Sequence, residues 1–201
     1  TLGNPLLVER EGYRFSKSSL EFSMIVSALD NYISNKKYIV EIGGGYGGLS
    51  RIIKSLYPDI MIILIDLPES NVISNYYLSN TFPNARIGSG KDLSKLNFFD
   101  KGIVNFDFLI ISPSEFKFIP ENTIDFIINT RSMMEMNYTT LLYYFNHINR
   151  TISKSGHLYL LNRYQKITFL KFYPMGFYWD VLINKTWPRD IDSNPHHQFL
   201  L

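Results

Sequence analysis

The chain contains no cysteine among its 201 residues. This absence excludes disulfide bonds, thiolate metal sites and cysteine nucleophiles. Long apolar runs are missing as well, and no stretch of roughly 18 apolar residues is present to form a transmembrane helix. The first residues also lack the charged and then apolar pattern of a secretory signal. We therefore expect a cytoplasmic protein without membrane insertion.

Neither sign of charge dominates, since 20 lysine and arginine residues stand against 18 aspartate and glutamate residues, for a formal net charge of +2. A nucleic-acid-binding protein normally carries a basic stripe or patch, so nucleic acid is not an expected partner. None of the four histidines stands in the spacing of a metal site, and no metal is predicted. Apolar residues, at 45%, are plentiful enough for the packed core of one ordinary domain.

Apolar periodicity predicts strands alternating with helices. Ser18-Ser19-Leu20-Glu21 has capping-box spacing and opens a helix predicted over about 18–34. Strands are expected at about 38–42, 60–65, 106–111, 123–129 and 157–161. Three more helices are expected at about 49–56, 68–80 and 138–153, and Gly156 would close the last of them. A loop with short elements is expected over 81–105, and one arm of an antiparallel hairpin over 179–186. Unbroken apolar strands between helices indicate a parallel sheet covered on both faces, so the predicted fold class is α/β.

A glycine-rich loop, Gly43-Gly44-Gly45-Tyr46-Gly47-Gly48, follows the predicted strand at 38–42. Doubly wound sheets bind nucleotides at this position, because glycine lets a ligand approach the backbone and the next helix offers free N–H groups. Asp66 ends the following strand, where a carboxylate can accept hydrogen bonds from both hydroxyls of a ribose. Loop and acid together predict a nucleotide-derived ligand rather than a tight turn alone.

Two ligands fit this loop. Gly43, Gly45 and Gly48 satisfy the dinucleotide pattern G-x-G-x-x-G, which would indicate an NAD-dependent oxidoreductase or epimerase. Glu41 would then lie near a pyrophosphate, where its charge is unfavourable, and no Tyr-x-x-x-Lys pair at a helical site supports that enzyme. S-adenosylmethionine has no phosphate, and an acid at the strand tip can orient its ammonium group. The spacing Glu41-x-Gly43-x-Gly45-x-Gly47 therefore favours S-adenosylmethionine.

Three segments resemble a known family, namely 38–50 (YIVEIGGGYGGLS), 65–69 (IDLPE) and 128–136 (INTRSMMEM). They resemble the sugar O-methyltransferases, a bacterial group within the class I S-adenosylmethionine-dependent methyltransferases, and Gly3-Asn4-Pro5 and Asn162 also look like that group. The resemblance implies a Rossmann-like sandwich whose mostly parallel, seven-stranded sheet ends in an antiparallel strand. We place this methyltransferase domain at 36–201, with an N-terminal helical extension over 1–35 packed on it. The implied reaction is methylation of a hydroxyl of a sugar or glycan precursor.

The same resemblance implies a set of residues that hold the cofactor. Gly43, Gly45 and Gly47 would line its methionine end, Glu41 its ammonium and Asp66 its ribose. Ser112, after the strand predicted at 106–111, would lie near adenine through its backbone N–H, with Leu67 as an apolar neighbour and Asn129 completing the set. If 85–87 is instead the third strand of the sheet, the adenine contact moves to Gly88 or Ser89.

The methyl acceptor must lie beyond the carboxyl ends of the strands, after the strands predicted at 123–129 and 157–161. Glu135 and Arg131 are the catalytic candidates, and Ser132, Asn162 and Arg163 are the acceptor-binding candidates. Glu135 lies in the setting Met133-Met134-x-Met136, where desolvation would raise its pKa and make it a base; the alternative is a first-turn acid of the next helix. Arg131 either holds a charged sugar bidentately or forms a structural salt bridge.

One alternative from another class remains, a methyltransferase-fold module that binds the cofactor without turnover. The pair His196-His197, near the C-terminus, would either form part of a lid over the substrate or belong to a frayed end, and we expect the frayed end.

Overall fold

The computed structural model describes residues 4–95, 106–163, 179–186 and 196–201. The strands are β1 (Leu7–Arg10), β2 (Tyr13–Ser16), β3 (Tyr38–Ile42), β4 (Met61–Ile65), β5 (Ile87–Ser89), β6 (Phe108–Ile111), β7 (Ile124–Thr130), β8 (Ile152–Arg163), β9 (Ile183–Thr186) and β10 (His196–Leu200). The helices are α1 (Lys17–Ile33), α2 (Gly48–Leu56), α3 (Pro68–Thr81), α4 (Gly90–Lys95) and α5 (Tyr138–Thr151). Short 3₁₀ helices span Pro113–Phe118 and Met133–Glu135. No helix in these ranges is both long and apolar enough to span a bilayer.

The main sheet has the strand order β5-β6-β4-β3-β7-β8-β10-β9 within the described residues. Its pairs from β5 to β8 are parallel, whereas β10 runs antiparallel to both β8 and β9. This arrangement confirms the predicted α/β class with its antiparallel C-terminal strand. The sheet has eight strands rather than the expected seven, because the three-residue strand β5 adds an edge beside β6.

Helices cover both faces of the sheet, because successive residues of each strand point to opposite sides. Ile39 of β3 packs with Ile25, Leu29 and Leu49 in a core shared by α1, α2 and α3. Its neighbour Val40 packs in the second core, which is formed largely with α5. The continuous apolar strands are therefore buried from both sides, as the sequence predicts.

The N-terminal segment differs from the expected helical extension in its first half. β1 and β2 form an antiparallel two-stranded sheet ahead of α1. The capping box of α1 is built by Ser16 and Ser19, with the Ser19 N–H donating to Ser16 Oγ at 3.1 Å. The predicted box at Ser18 and Glu21 is wrong, since the N-cap is Ser16, two residues earlier, and Glu21 is buried. The division at residue 35 stays a prediction.

Two expectations near the C-terminus are also wrong. Gly156 does not close α5: the helix ends at Thr151, and Gly156 lies within β8, where an added Cβ would stand 2.5 Å from Ile152 Cγ1. The segment His196–Leu200 is not a frayed end, because it forms β10 between β8 and β9. Backbone hydrogen bonds to two neighbouring strands hold it, a tertiary effect that local composition does not encode.

Candidate functional site

The glycine loop leaves β3 at its carboxyl end with three residues in the left-handed region. Gly43, Gly45 and Gly47 have φ of 74°, 55° and 85°. A Cβ on Gly43 would collide with Ser132 Oγ at 2.1 Å, so glycine is needed there for packing as well as for φ. A Cβ on Gly45 would meet no atom within 4 Å. The loop therefore packs tightly at its start and offers bare backbone to open space at its tip.

Asp66 closes this loop onto the end of β4. Its carboxylate accepts one hydrogen bond from the Gly45 N–H and another from the Leu67 N–H, both at 2.7 Å. The Asn71 side chain, which the sequence analysis missed, donates to the Asp66 carbonyl at 3.0 Å and to the Ile111 carbonyl at 2.9 Å. It thereby fixes the spacing between the ends of β4 and β6, a role that no local pattern signals.

Glu41 is a buried acid beneath the loop. The Ser50 hydroxyl at the start of α2 donates to its carboxyl group. Burial, which disfavours the charged form, raises the pKa of Glu41 to about 7, against an opposing effect of the Ser50 hydrogen bonds. The site therefore holds a carboxyl group that changes charge near neutral pH.

A cavity of about 160 Å³ lies between this loop, α1 and the end of β7. It is lined by Phe22, Ile25, Glu41, Gly43, Gly44, Gly45, Tyr46, Thr130, Arg131 and Leu161. The lining of this cavity thus combines bare loop backbone, a buried acid, an arginine and two aromatic rings. Among the predicted site residues, the structure brings together Glu41, Gly43, Gly45 and Arg131 here.

Arg131 follows β7 with a left-handed backbone, φ 62°, and its N–H donates to the Leu161 carbonyl at 2.7 Å. Its guanidinium forms an ion pair with Glu21 of α1. The Glu21 side chain is only 7% exposed, whereas that of Arg131 is 31% exposed. Of the two alternatives for Arg131, the salt bridge is therefore formed. Glu21 cannot be recognised from the sequence as a partner of Arg131, because no periodicity links two residues so far apart in the chain.

Asn129 and Asn162 form a buried amide pair on the neighbouring strands β7 and β8. Asn162 Nδ2 donates to Asn129 Oδ1 at 2.9 Å, and Asn129 Nδ2 donates to the Ile42 carbonyl at 2.9 Å. Asn162 Oδ1 accepts the Met134 N–H at 3.1 Å, which anchors the short 3₁₀ helix. The side chains of Asn129 and Asn162 are fully buried. They therefore support the turn after β7 and do not line the 160 Å³ cavity. Asn162 lies in β8 and not after it.

Ser132 and Glu135 belong to the turn after β7, and Arg163 ends the neighbouring strand β8. Ser132 Oγ donates to the Ile42 carbonyl at 3.3 Å and packs against Gly43. Glu135 ends the 3₁₀ helix with an exposed side chain, while Met133 and Met134 turn inward. The predicted desolvation of Glu135 is therefore wrong, because its methionine neighbours contribute to the core instead of covering it. Arg163, the last residue of β8, donates its backbone N–H to Met134 Sδ at 3.4 Å.

Ser112 borders a second and larger groove of about 840 Å³, between α3, β5 and the 3₁₀ helix after β6. Its N–H and its hydroxyl donate to Glu115 at 2.7 and 2.8 Å. The backbone N–H that was expected to serve a ligand is thus already used. The expected alternative contacts, Gly88 and Ser89, line the same groove. Leu67 is 60% exposed at the start of α3.

A family model described as an O-methyltransferase domain matches residues 11–112, about half of the chain. No curated protein matches the chain in sequence.

Solved structures share the fold at low sequence identity. The PH0226 protein of Pyrococcus horikoshii superposes with a TM-score of 0.61 at 11% identity, over 90% of each chain. A candidate O-methyltransferase of Nostoc punctiforme gives 0.58 at 10% identity, over 91% of this chain and 56% of that one. An S-adenosylmethionine-dependent methyltransferase of Archaeoglobus fulgidus gives a TM-score of 0.52 at 11% identity, over 74% of this chain and 54% of that one. The chain thus spans about half the length of the last two.

The family model gives the reaction class, methyl transfer to oxygen, and the solved structures give the fold. The described part of the chain shares its overall fold with the methyltransferases above. The family match covers the glycine loop, Asp66 and β6, and it ends before β7 and the turn that carries Arg131. The chain belongs to the S-adenosylmethionine-dependent O-methyltransferase domain family.

Proposed function

We propose that this chain transfers a methyl group from S-adenosylmethionine to a hydroxyl of a sugar or glycan precursor. The observation that carries the proposal is the 2.7 Å hydrogen bond from the Gly45 N–H to Asp66, which sets a bare loop tip beside an acid at the carboxyl edge of the sheet. The sugar class is supported by the sequence resemblance and by the Phe22 and Tyr46 rings on the cavity wall, since aromatic rings suit the apolar faces of sugars.

The residues at this edge fit the cofactor. Gly43, Gly45 and Gly47 would line its methionine end, because their positive φ shapes the turn and Gly45 offers bare backbone at its tip. The Glu41 carboxylate would orient the ammonium group. Asp66 retains lone pairs for the ribose hydroxyls beside the two amides that it accepts. Leu67 and the groove at Ser112 would then receive adenine.

Gly45→Ala tests whether a ligand occupies the open space at the loop tip. We expect cofactor affinity to fall at least about tenfold, because a methyl group would enter that space, while the free energy of unfolding falls by about 1 kcal/mol from the left-handed backbone. Gly12→Ala in the β1–β2 turn is the matched control, since Gly12 also has positive φ (78°) and also meets nothing within 4 Å. Calorimetric titration with S-adenosylhomocysteine measures the affinity. Equal affinity of the two variants would contradict the proposal.

The acceptor would bind beyond β7 and β8, with Arg131 and Ser132 nearest to the loop and Arg163 at the end of β8. Asn129 and Asn162 are assigned a supporting role, because their amides hold the turn that carries Ser132. When bound, S-adenosylmethionine supplies an activated methyl group on a sulfonium sulfur. The residues of this chain align the acceptor hydroxyl with that methyl group, and alignment alone provides a large part of such an acceleration.

The proton of the acceptor hydroxyl must leave as the new bond forms. Glu135 stays the proposed base, at an exposed position on the turn after β7. Since its side chain is exposed, we assign Glu135 a modest contribution and give the larger one to orientation. The reaction then ends with the methyl ether and S-adenosylhomocysteine.

Transfer of a tritium-labelled methyl group from S-adenosylmethionine to neutral glycosides and glycan fragments tests this function. We expect label in at least one compound with free hydroxyls and none in the same compound after complete O-methylation, the matched control. Label in phenols or carboxylic acids only would contradict the sugar class. Cofactor binding without transfer to any acceptor would favour the non-catalytic module.

A further inference from the structure

We infer that Glu21 sets the charge of the acceptor end of the site, holding Arg131 in an ion pair so that neutral hydroxyl compounds bind and anionic ones are rejected. The inference rests on the proposed function, which places the acceptor beside Arg131. It assigns a specificity-determining role to a residue of the N-terminal helix.

The geometry joins α1 directly to the methyl-transfer end. Arg131 lines the 160 Å³ cavity. Glu21 is not part of the cavity lining but forms the ion pair with Arg131, and its side chain is only 7% exposed. Phe22 and Ile25, the neighbours of Glu21 on α1, form part of the same cavity wall. Glu21 is thus a positioning residue, which acts on the acceptor through Arg131.

The backbone of Arg131 makes this placement difficult to change. Its left-handed conformation is uncommon outside glycine and is held by the hydrogen bond from its N–H to the Leu161 carbonyl. From this backbone position, the Arg131 side chain reaches the Glu21 carboxylate. Strained backbone at such a position is typical of residues whose side chain must stand in one place.

The ion pair decides which acceptors are favourable. An anionic acceptor that takes Arg131 would leave the buried Glu21 carboxylate without its cation, which is strongly unfavourable. A neutral hydroxyl can bind to Arg131 while the ion pair stays intact, because a guanidinium has five N–H donors and a carboxylate uses only part of them.

Glu21→Gln tests the inference, with inorganic phosphate as the probe. Phosphate is titrated by calorimetry into protein saturated with S-adenosylhomocysteine. The wild type is expected to bind phosphate weakly, and Glu21→Gln at least about tenfold more tightly, because Arg131 then no longer pairs with the Glu21 carboxylate. The double variant Glu21→Gln/Arg131→Met should lose this gain. Glu121→Gln, a change of the same charge at an exposed residue before β7, should match the wild type.

Three results would overturn the inference. They are unchanged phosphate affinity in folded Glu21→Gln, a gain that persists without Arg131, and tight phosphate binding by the wild type. The last needs no variant, so the test remains decisive if Glu21→Gln fails to fold. Failure of the wild type to bind S-adenosylhomocysteine in the same experiment would instead count against the proposed function.

Discussion

Replacing Asp66 by alanine is expected to weaken S-adenosylhomocysteine binding at least about 100-fold, since hydrogen bonds to a charged group contribute about 1.5–3 kcal/mol each. The variant loses the carboxylate proposed to hold the ribose. It also releases the Gly45 N–H, so the loop tip is no longer drawn toward the end of β4. Calorimetric titration of the folded variant measures the loss.

Asp125→Ala is the control for the structural part of this effect. The Asp125 carboxylate also accepts two backbone N–H groups, those of Lys37 and Tyr38, at 2.9 and 3.0 Å. It does so at the amino end of β3, away from the proposed site. Both variants are expected to lose about 2 kcal/mol of unfolding free energy, but only Asp66→Ala should lose the cofactor. Equal cofactor affinity in both would contradict the assigned role of Asp66.

Glu41→Gln is expected to change how stability depends on pH. The folded-state pKa of Glu41 is about 7, raised by burial from an ordinary value of 4.5. Between these values the folded protein binds a proton that the unfolded chain releases, so this group lowers stability as pH rises from about 4.5 to about 7. The wild type should lose about 3 kcal/mol relative to Glu41→Gln across this window.

Urea unfolding of both proteins at pH 5 and pH 8 measures this difference. Burial lowers the pKa values of His147 and His157, but both residues are present in both proteins, so their effect cancels in the comparison. Glutamine can still accept the Ser50 hydrogen bond, so packing is retained. A wild-type-to-variant difference that is the same at both pH values would show that Glu41 does not titrate in this range.

Local pattern was sufficient to predict most of the sheet and its glycine loop. Strands β3 and β4 are continuous apolar runs, and the loop needs glycine at three positive-φ positions, so both are determined by residues close in sequence. The capping box and the end of α5 were misplaced, because serine and glycine there suit several neighbouring turns. The strand β10 depends on partners that are distant in the chain.

The acceptor side of the site depends on such distant pairs. Glu21 and Arg131 meet only because α1 packs beside the end of β7, and Asn129 meets Asn162 only because β7 pairs with β8. The choice of Glu135 as a desolvated base failed for a similar reason. Sequence shows that methionines surround it, but not that they point inward while the carboxylate points outward.

The central claim is that the glycine loop and Asp66 bind S-adenosylmethionine. Its most direct test is calorimetric titration of the unmodified protein with S-adenosylmethionine, S-adenosylhomocysteine and NAD. We expect micromolar binding of both sulfur compounds and no binding of NAD. Binding of NAD alone would contradict it.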